Sequence, residues 1–428
     1  RDKMKIKTQK KDYQISGATS KTFSVDTNDT MVIKLLRDKM YKIRTYNAIS
    51  SKGLSRFSAD RYEVSSECAD PQGFILRSQK LHTEVVPESL VAVARAGAGT
   101  NNIPTEAYTE QGIVVFNTPG ANANAVKELI VAGLLLGSRD IYGGMNYVQD
   151  LGHMDDSGEM GKLLEKEKKR FAGSEITGKT LGVVGLGAIG SIIANLALDL
   201  GMNVVGYDPA ISVEAAWQLS SRVQRMDSLE ALLAEADFIT LHVPAIPATK
   251  HLINKDTLGL MKSNAKILNF AREEIVSTDE MVAALDAGTI AGYISDFPAP
   301  ALLGRKDVLL MPHIGASTEE AEENCAVMAA DQLMDFLENG NIRNSVNYPP
   351  TKMARNGGTR ITFTNSNVPK VLGSVLSILA DAELNVVDMV NKSRGEIAYN
   401  IIDVEGDVSD SVSRQIADVE GVMRLRML

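Results

Sequence analysis

Three glycines and one acid carry the first recognisable chemistry in this chain. Residues 181–208 read LGVVGLGAIGSIIANLALDLGMNVVGYD, so Gly185, Gly187 and Gly190 join an apolar run to a helical pattern, and Asp208 closes a second apolar run. Strand, tight turn, helix and strand follow from that order. Gly185 permits the turn, Gly187 lets the backbone approach a pyrophosphate, and Gly190 lets helix and strand pack closely. The helix start at Ala188 and Ile189 offers free N–H groups and a positive dipole end. Asp208 stands where a carboxylate accepts from the ribose hydroxyls of adenosine. A lone glycine triplet is often an ordinary turn, but this full context points to a dinucleotide site. Pro209 and Ala210 follow the acid with no nearby Arg for a 2′-phosphate, which favours NAD over NADP.

The rest of the chain must position that site. Its 428 residues suffice for two to four domains at about 100 to 200 residues each. A formal net charge of -9 argues against nucleic acid as the main partner. No apolar run is long enough to span a bilayer. Cys68 and Cys325 stand apart, with no spacing for a zinc site or a disulfide framework, so no metal is expected and a cytoplasmic setting fits. Residues 1–38 read as an extension outside the fold, and Asp2, Asp12, Asp26 and Asp29 argue against a targeting peptide.

Apolar runs at 41–46, 73–76, 90–94 and 113–116, with helical patterns between them, predict a parallel α/β domain. Its loops fall where such sheets put ligands, beyond the carboxyl ends of strands. Arg77, Ser78 and Lys80 occupy one such loop, where the cations can meet a phosphate. Ala98, Gly99 and Asn102 occupy another, whose small residues can present N–H groups to a carboxylate. Taken singly, each loop reads equally as a turn with solvated cations. An apolar-faced helix over 122–138 and the charge-dense stretch 152–170, read as a solvated face, lead into the dinucleotide unit. That unit continues through strands expected at 238–243, 266–270 and 290–295. Ser317 and Glu320 have capping-box spacing before a long helix ending at Gly340, which is expected to return to the first domain. A Pro/Gly-rich linker and a βαββαβ pattern complete the chain. The expected fold is therefore α/β, with a Rossmann NAD domain (139–310) inserted into a flavodoxin-like substrate domain (39–138 and 311–348). A linker (349–358) and a ferredoxin-like domain (359–428) follow.

The runs LHVPAIPATKHLI, LNFARE, MPHIGAST and FLENGNIRNSVNYP, with NVPKVLG in the last domain, resemble in their order the D-3-phosphoglycerate dehydrogenases. These belong to the D-isomer-specific 2-hydroxyacid dehydrogenase family, and the resemblance is to the short class that ends in an ACT domain. It covers residues 39–428. It implies NAD-dependent oxidation of 3-phospho-D-glycerate, the entry step of L-serine synthesis, by a homo-oligomer. It also implies that Arg272 grips the substrate's carboxylate and reacting oxygen, and that His313 exchanges the hydroxyl proton. The chemistry agrees, because an imidazole suits proton exchange near neutrality and a guanidinium forks onto a carboxylate. The resemblance adds His242, Val243, Pro244, Ala271, Asp296 and Gly315 around the cofactor and Arg139 among the substrate cations. It places L-serine, as an effector, on Asn365, Asn367 and Asn385 at a subunit interface.

Three positions depart from the family pattern. Ala301 stands where the family pairs the catalytic His with Glu, Glu273-Glu274 follow Arg272 in place of Gly-Gly, and Lys370 replaces a Gly at the ACT entrance. Reduced activity is the expectation. The alternatives are another D-2-hydroxyacid dehydrogenase, such as a hydroxypyruvate or glyoxylate reductase, and an NAD-sensing scaffold without turnover.

Overall fold

The computed structural model describes residues 40–428, so the extension expected over 1–38 lies outside the described residues. The chain divides into two compact units, one ending at Thr118 and resuming at Cys325, the other running Pro119–Asn324. The sequence division at 138/139 differs from this. Helix Ala123–Ser138 is counted with the second unit because Ile130 and Leu134 pack with Phe238, Leu268, Phe270 and Ile294 of that unit's sheet.

In the first unit, strands β1 (Tyr41–Thr45), β2 (Tyr62–Ser65), β3 (Gly73–Leu76), β4 (Ala92–Arg95) and β5 (Val114–Phe116) form a parallel sheet in the order β2-β1-β3-β4-β5. This is the flavodoxin-like order expected. The segments of β3 and β5, GFIL and VVF, are buried throughout, which is why they read as unbroken apolar runs. The edge strand β2 reads YEVS and escaped notice because only one of its residues is buried.

The long helix spans Glu319–Asn339 and does return to this unit, where Arg56 pairs with Asp331 at 2.7 Å and Arg61 with Glu338 at 2.9 Å. Its start is capped by Thr318, whose Oγ1 accepts from Ala321 N at 3.1 Å. The capping box expected from Ser317 therefore begins one residue too early.

The C-terminal strands β13 (Thr359–Ser366), β14 (Val386–Arg394), β15 (Ile397–Val404) and β16 (Val422–Met427) form an antiparallel sheet in the order β14-β15-β13-β16. With helices Val371–Asp381 and Asp410–Ala417 this is the βαββαβ unit expected. The helices cover one face through Ile361, Phe363, Ile402 and Val404. The opposite face lies against the first unit's own sheet and helix. Arg424 donates to the carbonyls of Glu88, Leu90 and Gln111, and Arg426 to those of Phe336 and Leu337, its guanidinium 4.5 Å from the Phe336 ring centroid.

The segment expected as a linker is tied down along part of its length. Met353 N donates to Asn341 Oδ1 at 3.1 Å, and Arg360 spends all five of its N–H donors in the interior. Two form a fork on Asp403 at 2.6 and 2.7 Å, and the others reach the carbonyls of Asn339, Met353 and Ala354.

The second unit holds strands β6 (Thr180–Val184), β7 (Asn203–Tyr207), β8 (Gln224–Arg225), β9 (Phe238–Leu241), β10 (Lys266–Asn269), β11 (Gly292–Ser295) and β12 (Val308–Leu310). All are parallel, in the order β12-β11-β10-β9-β6-β7-β8. The chain reverses direction across the sheet between β6 and β9, which opens the crevice where such folds hold dinucleotides. The charge-dense stretch forms helix Ser157–Glu167, with Asp156 accepting from Gly158 N and Glu159 N at its start. Among the described residues, no helix is long and apolar enough to cross a membrane.

Candidate active site

The turn after β6 is shaped for a ligand's phosphates. Gly185 has φ +90, and a Cβ there would lie 2.6 Å from the His242 carbonyl oxygen. A Cβ on Gly190 would lie 1.9 Å from the Gly185 oxygen, so only glycine closes this turn onto its helix. Gly187 differs, since an added Cβ would meet nothing within 4 Å. It borders open space at the N-terminus of helix Ala188–Asp199, where unpaired N–H groups favour an anion. The Asp208 carboxylate accepts from Leu186 N at 2.8 Å and Ala210 N at 2.9 Å, which locks it beside the turn and leaves each oxygen a further lone pair for a ribose hydroxyl. These residues fit a dinucleotide.

The neighbouring strands end in polar residues that hold the reactive loops. Beyond β10, Asn269 is fully buried, and its amide donates to Arg272 O at 2.9 Å and accepts from Ala271 N at 3.2 Å. Arg272 is half-buried and also bonds the Ala271 carbonyl at 2.6 Å. Beyond β11, the buried Asp296 accepts from Ile314 N at 2.8 Å and Gly315 N at 2.7 Å, and its own carbonyl accepts from His313 N at 3.0 Å. His313 is thereby held in the left-handed region, at φ 56, with its exposed ring edge-on to Phe297 at 5.0 Å. The Asp296 carboxylate thus braces the loop that carries His313. Ala301 lies exposed in the short 3-10 turn Pro300–Leu302.

His242 follows β9, with its Nε2 2.9 Å from the Thr240 hydroxyl. Burial pushes its imidazole down to about 3, so it stays neutral near pH 7. Val243 and Pro244 continue that loop. Arg139 lies elsewhere: Lys266, which opens β10, bonds the Gly137 carbonyl, whereas Arg272 follows the other end of that strand. Arg139 is therefore not brought to the Arg272 loop of its own chain.

Within the first unit, Arg77, Ser78 and Lys80 share one loop, whose N–H groups at Ser78 and Gln79 bond Asn47 Oδ1 at 3.0 and 2.8 Å. Asn102 is buried beneath it, donating to the carbonyls of Gln79 at 2.7 Å and Arg77 at 3.4 Å. Its amide is used to brace the loop. The neighbouring loop is braced by Asn117, which donates to Ala98 O at 2.6 Å beside Gly99.

The three effector asparagines do not meet in one chain. Asn365 is buried and accepts from Asn400 at 2.7 Å. Asn367 bonds Gly395 O at one end of the sheet, and Asn385 bonds Glu405 at the other. Strand β13 pairs Ser366 with Ile397 and Thr359 with Val404, which separates those ends by roughly 20 Å at about 3.3 Å per residue. Lys370 stands at φ 78, a conformation that glycine tolerates better.

Sequence reasoning missed Asn269, Thr240, Tyr293 and Ser295 as supports of the site. Thr240 within FITL and Asn269 closing KILN were visible as polar residues at buried strand positions, where an unpartnered amide or hydroxyl is costly.

Residues 144–315 match the family model for the D-isomer specific 2-hydroxyacid dehydrogenase, NAD binding domain. The chain is 40% identical over 296 residues to the D-3-phosphoglycerate dehydrogenase of a Synechocystis strain, a match that covers 67% of this chain and 50% of that protein. It is 34% identical over 351 residues to the same enzyme of Methanocaldococcus jannaschii, covering 80% of this chain and 63% of that protein. The chain thus spans half to under two thirds of the length of these two relatives. The Escherichia coli D-3-phosphoglycerate dehydrogenase is 32% identical over 386 residues, with 86% of this chain and 90% of that protein covered. Among solved structures, an NAD+-bound 3-phosphoglycerate dehydrogenase from Entamoeba histolytica is similar with TM-score 0.56 at 26% identity, covering 72% of this chain and 99% of that one.

Proposed function

Since the chain belongs to the D-isomer-specific 2-hydroxyacid dehydrogenase family, we propose that it oxidises 3-phospho-D-glycerate to 3-phosphohydroxypyruvate, with NAD as the acceptor. The observation that carries this reading is the pair of braced loops after β10 and β11, which present Arg272 and His313 beyond the same edge of the sheet as the glycine turn. Arg272 forks onto the substrate carboxylate and holds the hydroxyl carbon in one orientation. His313 accepts the hydroxyl proton as the C–H bond breaks and the carbonyl forms. Bound NAD supplies the hydride acceptor. The loop of Arg77, Ser78 and Lys80 takes the phosphate, with Ala98 and Gly99 presenting backbone N–H groups.

In this reading the unit Pro119–Asn324 is the cofactor domain, and the parallel sheet β1–β5 with its helices is the substrate domain. Residues 359–428 act as an ACT domain that binds L-serine. Because Asn367 and Asn385 lie at opposite ends of one sheet, the serine site forms between two copies of the chain, and the working enzyme is a homo-oligomer of the cytoplasm.

The test offers phosphoglycerate, glycerate and lactate in turn, follows NADH by absorbance and removes the keto product with a coupled trap. Turnover fastest on phosphoglycerate is expected. A faster rate on an unphosphorylated acid would reject the substrate, and NAD binding without any turnover would make the protein a dinucleotide-dependent scaffold.

A further inference from the structure

We propose that Tyr293, which lies in the sheet and reaches no substrate, positions Arg272 through the side chain of Asn269. The inference rests on the proposed role of Arg272 as the carboxylate-gripping residue. Tyr293 and Asn269 stand on adjacent parallel strands, β11 and β10, where Tyr293 is opposite Ile267 and Asn269 opposite Ser295. Alternation along the strands puts Tyr293, Ser295, Ile267 and Asn269 on one face of the sheet. Asn269 is 0% exposed and Tyr293 4%, so water does not complete their hydrogen bonding.

Both N–H donors of the Asn269 amide are engaged, and its oxygen accepts one bond. One Nδ2 proton goes to Arg272 O at 2.9 Å, the other to the Tyr293 hydroxyl oxygen at 3.3 Å, and Oδ1 accepts from Ala271 N at 3.2 Å. Burial pushes the Tyr293 hydroxyl up from the usual phenol range, so it meets the amide as a protonated, neutral phenol. Ser295 Oγ itself lies 3.3 Å from Asn269 O and accepts from Phe297 N at 3.1 Å. The backbone on both sides of the Ala271–Arg272 peptide is thus fixed by one carboxamide, and Tyr293 fixes the plane of that carboxamide.

Without the Tyr293 hydroxyl, one buried N–H of Asn269 loses its partner, which rewards any tilt of the amide that finds another. A tilt weakens the bonds to Ala271 N and Arg272 O together. The loop bearing Arg272 then samples more conformations, and the guanidinium must be ordered at each binding event. The loss appears in substrate binding, whereas the glycine turn and the His313 loop keep their own supports.

Tyr293→Phe keeps the ring and removes only the oxygen. The first measurement is hydrogen exchange of the unliganded protein, where the Ala271 amide is expected to exchange about tenfold faster while the amides of β10 and β11 are unchanged. The second is steady-state kinetics, with KM for the hydroxy acid raised about tenfold, kcat within about threefold and NAD affinity unaltered. An unchanged Ala271 exchange rate, or a lowered Tm with KM unmoved, overturns the proposal. A wild-type protein that turns over no hydroxy acid would reject the assigned reaction, while the exchange measurement still decides whether Tyr293 holds this loop.

Discussion

Asp296→Asn separates the two jobs that a buried carboxylate can have here. In the native site, both oxygens accept backbone N–H bonds, at 2.8 Å from Ile314 and 2.7 Å from Gly315, and the residue is 1% exposed. Asparagine can accept one of these bonds and must turn its own N–H2 toward the other N–H. The change removes one charge-assisted bond, worth about 1.5 to 3 kcal/mol, and leaves a buried donor facing a donor, for a total of about 2 to 4 kcal/mol. His313, one residue before Ile314, holds φ 56, a left-handed conformation that costs about 1 to 2 kcal/mol for a non-glycine residue. Losing the brace therefore exceeds the strain it holds, and the loop relaxes away from the reactive arrangement. At about 1.4 kcal/mol per factor of ten, kcat falls roughly 30- to 1,000-fold. The same unpaired donor destabilises the fold, so Tm falls as well. The assay pairs NADH absorbance with thermal melting and calorimetric NAD titration. If Asp296→Asn melts like the wild type, binds NAD normally and keeps kcat within twofold, then the carboxylate is not what holds His313.

Ala301→Glu should raise kcat by roughly tenfold, since a carboxylate that reaches His313 orients its ring and favours the protonated form, and the acid limb of the rate profile should move to higher pH. Unchanged kcat and pH profile in a variant that folds and binds NAD would mean that the orienting acid is elsewhere, with Glu273 or Glu274 next to be replaced. His242 links stability to acid. Its folded value of about 3 lies below the ordinary value near 6.5, so the unfolded chain binds the extra proton first. Stability is complete above about 6.5 and declines as pH falls toward 3, by about 2 kcal/mol at pH 5. His242→Gln should shrink the loss of unfolding free energy between pH 7 and pH 5 by about that amount in denaturant titrations. Asp403→Asn strips the charge from a fully buried fork with Arg360 and should cost about 3 to 5 kcal/mol in the first unit's unfolding free energy, a loss that surface pairs such as Arg56–Asp331 would not reproduce.

Much of the architecture was legible because burial on both faces of a parallel sheet leaves unmistakable apolar runs. The segments of β3, β5 and β9 announce themselves in this way, and the glycine spacing located the turn after β6. What escaped were elements whose signal is weak for a physical reason. The two-residue strand β8 is exposed throughout, and β2 and β12 lie at sheet edges, where one side needs no partner. The stretch at 349–358 has a linker's composition, yet part of it is held by Arg360, and nothing local in the sequence shows that a distant arginine will bond its carbonyls.

The candidate site divides along the same line. The residues proposed to meet a ligand, Gly185, Gly187, Asp208, Arg272 and His313, carry types and spacings that chemistry can interpret. The residues that hold them do so through backbone atoms, and a side chain that bonds a peptide group leaves no spacing rule behind. Asn102 shows how one residue can stand in both classes: its loop suggested a substrate ligand, and its Nδ2 also braces the carbonyls of Arg77 and Gln79. Asn269 and Asp296 point to a usable correction. Each ends or directly follows a buried strand, and a polar side chain at that place must find partners in the next loop or be destabilising. In a parallel sheet those loops carry the ligands, so an amide or carboxylate closing an apolar strand marks the peptide groups that set the reactive side chains.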